Sequence, residues 1–112
     1  MYRPLPDGLT IKNSPIEGLG LFATIEIKAN SFIGVTHIRD EQFENKYIRT
    51  PLGGFYNHSE TPNVTIEERK IFDQIEIDCR VMIALRKILK GEEIVAKYAL
   101  YEINSTDPKS KI

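Results

Sequence analysis

Between Gly53 and Asn63 the chain reads Gly-Gly-Phe-Tyr-Asn-His-Ser-Glu-Thr-Pro-Asn. Asn57, His58, Ser59 and Asn63 bring amide, imidazole and hydroxyl groups into one short segment, and each such group can hold a ligand by hydrogen bonds. Gly53 and Gly54 let backbone approach closely, while Phe55 and Tyr56 set two aromatic rings beside the polar groups. The chemistry on offer is that of a turn, a metal site, a hydrolase or a ligand shelf. His58 and Ser59 make a poor base and nucleophile, because neighbours in an extended segment point to opposite sides. No Gly-x-Ser-x-Gly elbow is present. His37, His58 and Cys79 with a carboxylate would be a zinc donor set, but their spacing matches no compact ligand pattern. Cys79 falls on the apolar side of an alternating run, as a buried structural thiol does. No metal is therefore expected.

Two further groups have chemical potential. In Gly18-Leu19-Gly20-Leu21-Phe22-Ala23 the glycines either expose backbone N–H and C=O groups to a ligand or simply form a hairpin turn. The segment is not a phosphate loop, since it lacks a Gly-Lys-Ser/Thr ending. Tyr98 and Tyr101 close the last apolar run, either as a core edge or as functional hydroxyls.

The elements that must position these groups are short strands. Leu9–Lys12 alternates. Asn13-Ser14-Pro15 signals a turn, Ile25 and Ile27 extend a strand, and Ser31–Ile38 is β-rich. Asp40–Arg49 fits either a short helix or an irregular loop. Val64–Glu67 alternates up to a polar break at Glu68-Arg69-Lys70. From Ile75 to Leu85 the odd positions are Ile, Ile, Cys, Val, Ile and Leu, a period-2 pattern that predicts one buried face. Lys90–Glu93 reads as a turn, Ile94–Tyr98 as a strand. The expected organisation is an extended lead-in over 1–8, one domain over 9–103 and a polar tail over 104–112.

The bulk properties narrow the class. A chain of 112 residues, 41% hydrophobic and 28% charged, has the composition of one globular domain. Its formal net charge of -1 gives no basic field for nucleic acid or an anionic membrane. One cysteine excludes an internal disulfide framework. No apolar run approaches the ~18 residues of a spanning helix, and Met1–Asp7 lacks the apolar core of a secretory signal. A cytoplasmic protein is expected, with no membrane and no direct nucleic-acid partner.

Three pieces in this order resemble the SET domain, the fold of protein-lysine methyltransferases. Glu17-Gly18-Leu19-Gly20-Leu21-Phe22-Ala23 is similar to its opening motif. Phe55–Asn63 resembles its Arg-Phe-Ile-Asn-His-Ser-x-x-Pro-Asn signature. Ala84-Leu85-Arg86-Lys87-Ile88 through Lys90-Gly91-Glu92-Glu93-Ile94 to Tyr98 is similar to its closing Gly-Glu-Glu-hydrophobic-x-x-Tyr motif. The resemblance spans about residues 9 to 101 and is to the minimal type of bacteria, phages and large viruses. It implies a mostly-β fold, a β-clip of several small sheets with little helix and a C-terminal pseudoknot, in which the closing segment threads beneath the preceding loop. Close passage of two backbones there would explain Gly53 and Gly54.

The resemblance further implies S-adenosyl-L-methionine as cofactor. Backbone at Gly18, Leu19 and Gly20 would meet its methionine end. The Asn57 side chain would bind its amino group, and His58 its adenine, through backbone more than ring. Tyr101 or a neighbouring apolar group would cover the adenine. Tyr98 matches the catalytic tyrosine, and Phe55 and Tyr56 would wall the substrate channel. The implied partner is a lysine-bearing protein or peptide, with a homodimer completing the groove. There are departures: Gly54 and Tyr56 replace the signature's Arg and Ile, and Ala96-Lys97-Tyr98 replaces Phe-Asp-Tyr, which leaves the degree of methylation open. The family's Tyr-x-Gly-Glu is absent from Gly34–Ile38, so a different substrate groove is expected there. The rival expectation is an inactive SET-like module that binds a peptide or partner.

Overall fold

The long alternating run forms the middle of the sheet. The computed structural model describes residues 5–42, 46–73 and 75–98. In chain order the elements are β1 (Leu9–Asn13), β2 (Leu19–Ala23), β3 (Phe32–Arg39), β4 (Tyr47–Arg49), α1 (Pro51–Gly54), β5 (Asn57–His58), β6 (Val64–Asp73), β7 (Ile75–Ala84) and β8 (Glu93–Ala96). The fold is mostly β, as expected. Strand pairing runs β1-β2-β8-β6-β7-β3-β4, with β5 added alongside β8.

The β6–β7 hairpin pairs antiparallel from Val64↔Ala84 to Asp73↔Ile75. The expected break at Glu68-Arg69-Lys70 does not occur, and β6 runs through it. Opposite charges carry the pairing: Lys70 Nζ bonds Asp78 at 2.8 Å and Glu76 at 2.6 Å, both on the facing strand. Such cross-strand pairs stabilise a polar stretch of sheet.

Alternation also understated burial in β7. Cys79 and Val81 are buried, but so are Arg80, Met82 and Ala84 on the other face, while Leu85 is exposed. The strand is paired on both edges, by β6 and β3, and both of its faces are covered. The main core lies on the Met82 and Ala84 side, with Leu21, Leu52, Tyr56, Val64, Ile88 and Ile94. Burial pushes the Cys79 thiol pKa up, as befits an inert structural cysteine.

Three local expectations change. Ile25 and Ile27 do not extend a strand: Ile25 is exposed and Ile27 makes one isolated bridge to Ile88. Tyr47–Arg49, part of a segment left between helix and loop, is a strand paired with β3. Pro51–Gly54 is a helical turn capped by Thr50, whose hydroxyl accepts from the Gly53 N–H and donates to the Val35 carbonyl at 2.7 Å. Gly53 does mark close backbone passage, but of β3: a Cβ there would run into the Thr36 carbonyl. Gly54 has open space around it.

A buried histidine on β3 makes stability pH-dependent. His37 is 5% exposed, edge-on to Tyr47 at 6.1 Å, with the Arg80 guanidinium 4.1 Å over the same tyrosine ring. Burial first, then the Arg80 and Arg49 charges, lower its pKa to about 4. The folded state therefore holds His37 neutral, while the unfolded chain takes up a proton below its ordinary pKa of 6.5. Stability is full above that value and falls as pH drops from 6.5 towards 4. Between pH 7 and pH 5 this group alone should remove about 2 kcal/mol. Denaturant titrations of wild type and His37→Gln at both pH values check this, because the variant should lose most of that slope.

Candidate active site

Three consecutive residues build the site. Asn57 and His58 form β5, and Asn57 turns to Glu93 on one side while Tyr56 and His58 meet Tyr98 on the other. The segment is fixed by parallel pairing to β8, Asn57↔Val95 and His58↔Ala96. Tyr98 follows β8 by two residues and comes back over this strand.

On one side, Tyr56 and His58 cradle Tyr98. Ring centroids lie 5.9 Å apart for Tyr56 and Tyr98 and 5.0 Å for His58 and Tyr98. The Tyr98 hydroxyl donates to the Tyr56 carbonyl at 3.4 Å. The Tyr98 N–H donates to His58 Nδ1 at 2.9 Å. With Nδ1 accepting, a neutral His58 carries its hydrogen on Nε2, which faces Glu60 Oε2 at 2.9 Å. Bonds from His58 and then Lys97 hold the Glu60 carboxyl below its usual pKa. The His58 ring thus fixes the backbone that carries Tyr98, a role beyond the backbone one expected of it.

On the other side, Asn57 Nδ2 lies 2.8 Å from Glu93 Oε2, 3.1 Å from Ser14 Oγ, 3.3 Å from the Glu17 carbonyl and 3.4 Å from the Leu19 carbonyl. An amide NH2 has two hydrogens, so it satisfies at most two of these four acceptors at once. Ser14 Oγ donates to the Glu93 carboxylate at 2.8–2.9 Å and accepts from the Ile16 N–H at 2.9 Å. The surplus of acceptors gives this nook the chemistry of a receptor for a cation rich in N–H groups.

The glycine segment supplies one wall. Gly20 is buried, and a Cβ on it would strike Glu93 Oε2. Gly18 has φ +50° and open space beside it, and the neighbouring Leu19 side chain is exposed. β2 is tied to β8 through Leu21↔Ile94 and Phe22↔Glu93, which brings Gly18–Gly20 to Asn57. Tyr98, Tyr56, Asn57, His58, Leu19 and Gly20 are therefore gathered in one region. Phe55 is half-buried at the end of α1. Tyr101 lies outside the described residues.

Sequence reasoning missed three participants. Ser14 read only as a turn residue, and Glu93 as the end of another turn and a member of the closing motif with no task of its own. Asn63 was seen as part of the crowded stretch but given no task. It is 1% exposed, its Nδ2 donates to the Glu93 carbonyl at 2.8 Å, and its Oδ1 accepts from the Val95 N–H at 2.9 Å. Its own backbone N–H donates to the Val95 carbonyl at 3.0 Å. The available signal was that Glu93 and Asn63 both fall within the quoted motifs, Glu93 directly before the run leading to Tyr98.

The rejected zinc set is spread over β3, β5 and β7. Among the described residues no group of three or more His, Cys, Asp or Glu is arranged to hold a metal. A separate surface cavity of about 490 Å³ is lined by Arg39, Tyr47, Glu68, Arg69, Lys70, Asp78 and Cys79 and shares no residue with this site.

The SET-domain family model matches residues 38–99, more than half of the chain and inclusive of Tyr56–Asn63 and Tyr98. The chain belongs to the SET-domain family. The match starts beyond Gly18–Gly20, so the glycine strand joins this SET site through its pairing with β8. A crystal structure of a candidate histone methyltransferase from Plasmodium falciparum is similar in fold, with a TM-score of 0.69 and 24% identity. The similarity covers 86% of this chain and 96% of that one. No curated protein matches the sequence.

Proposed function

We propose that this SET domain is an S-adenosylmethionine-dependent protein-lysine N-methyltransferase. The observation that carries the proposal is the two-sided strand: Asn57 faces an acceptor-rich nook beside the glycine segment while Tyr56 and His58 hold Tyr98 on the other side. The residues present fit the cofactor. Its amino group needs acceptors and finds Leu19 and Glu17 carbonyls, and its amino-acid end needs the close backbone approach that Gly18 and Gly20 permit. When bound, the cofactor supplies an activated methyl group on a sulfonium. The similarity to a candidate histone methyltransferase supports the same reading.

The chain's own residues must then deliver a neutral amine in line. A free lysine has a pKa of ~10.4, so the neutral form costs roughly 4 to 5 kcal/mol at pH 7. An apolar aromatic channel lowers that pKa by desolvation, and no strong base is required. Tyr56 is buried and Tyr98 partly exposed, and their rings meet at 5.9 Å, so the two can wall such a channel. The Tyr98 hydroxyl and the Tyr56 carbonyl lie 3.4 Å apart and would be the two oxygens that orient the amine. Positioning of this kind can offset on the order of 7 to 11 kcal/mol of barrier.

Calorimetric titration with S-adenosylmethionine tests the first half of the proposal. Saturable one-to-one binding that Asn57→Ala weakens by about tenfold or more is the expected result. Absence of binding would leave a SET-like scaffold with another purpose.

A further inference from the structure

We infer that the Glu93 carboxylate is the counter-charge for the cofactor's amino group, held in place by Ser14. The inference rests on the cofactor reading above and assigns a residue that the motif resemblance leaves without a task. Glu93 is half-buried at the start of β8, and its side chain is received by the missing Cβ of Gly20. Its two oxygens are bound by Ser14 Oγ, and Oε2 also by Asn57 Nδ2. Both partners are neutral donors. The adjacent Glu92 differs: it is matched by Arg86 at 2.9 Å. A half-buried carboxylate met by neutral groups favours a nearby cation.

Hydrogen counting points the same way. Asn57 offers two N–H bonds and Ser14 one O–H to an acceptor set that includes the Leu19 and Glu17 carbonyls and both Glu93 oxygens. An ammonium would bring three N–H bonds and a positive charge to that set. Ser14 acts as a positioning residue. Its Oγ also accepts from the Ile16 N–H, so the turn before the glycine segment fixes the rotamer of Glu93. A purely structural role would instead make Glu93 a staple between β8 and that turn.

Two ligands separate these roles. S-adenosylhomocysteine carries the amino group without the sulfonium, and 5′-methylthioadenosine lacks the amino-acid end. Glu93→Gln keeps the size of the side chain and removes its charge. It should weaken S-adenosylhomocysteine by about tenfold or more, while methylthioadenosine changes by less than about twofold. Ser14→Ala should show the same selectivity with a smaller loss. Melting temperature without ligand should move little for both. Equal weakening of both ligands, or no weakening of either, would overturn the inference. Failure of wild type to bind either ligand would instead remove the cofactor reading on which it rests.

Discussion

Tyr98→Phe should leave cofactor affinity within about twofold of wild type and lower turnover by roughly 100-fold or more, the scale of losing one aligned oxygen in a transition state. The hydroxyl is the only part of Tyr98 that the substitution removes. Its ring contacts with Tyr56 and His58 remain, as does its N–H bond to His58 Nδ1. The cofactor's amino-acid end would meet Asn57 and the glycine segment on the far side of β5, so binding should hardly notice the change. Single-turnover methyl transfer and calorimetric titration on the same preparation separate the two effects. Turnover near that of wild type would reject Tyr98 as the catalytic hydroxyl. Loss of affinity equal to the loss of rate would show that the residue serves binding instead.

Asn63→Ala should destabilise the fold by about 3 kcal/mol, since one buried and one part-buried backbone group lose their partners and each costs about 1–3 kcal/mol unmatched. The amide acts as a piece of strand. It bonds the Glu93 carbonyl and the Val95 N–H, while the Asn63 backbone bonds Val95 again and accepts from the Leu85 N–H at 2.9 Å. A loss of that size is a large share of the stability of a small domain. Asn63→Asp keeps an acceptor for Val95 but loses the donor to Glu93, so it should fall between the two. Urea unfolding monitored by circular dichroism checks the order. A change below about 1 kcal/mol for Asn63→Ala would mean that β8 is held by other contacts. Because β8 carries Glu93 and leads to Tyr98, residual activity in these variants should fall with the folded fraction.

Much of this architecture is legible in the residues. The period-2 pattern over Ile75–Leu85 and the motifs at 17–23, 55–63 and 90–98 carry the mostly-β class and the family. What escaped was decided by tertiary pairing. Glu68-Arg69-Lys70 looks like a break until Asp78 and Glu76 face Lys70 across a hairpin. Met82 and Ala84 fall on the polar side of the alternation, yet the core forms there because both faces of β7 are covered. Gly53 signals close backbone passage, but nothing local says that the passing strand is β3 rather than the closing segment. Within the site, Asn57 and Tyr98 stand out by type and motif. Ser14 does not, and Glu93, though in the closing motif, does not reveal its partner there, since the two lie 79 positions apart and meet only once β2 and β8 pair.

The account stands most directly on methyl transfer itself. Wild-type protein and Tyr98→Phe would be incubated with a whole-proteome extract and isotopically labelled S-adenosylmethionine, and the labelled residues read by mass spectrometry. The account predicts label on lysine side-chain nitrogens of discrete proteins with wild type and its near-absence with Tyr98→Phe. Cofactor binding in the calorimeter together with no labelled lysine, or equal labelling by both proteins, would contradict it.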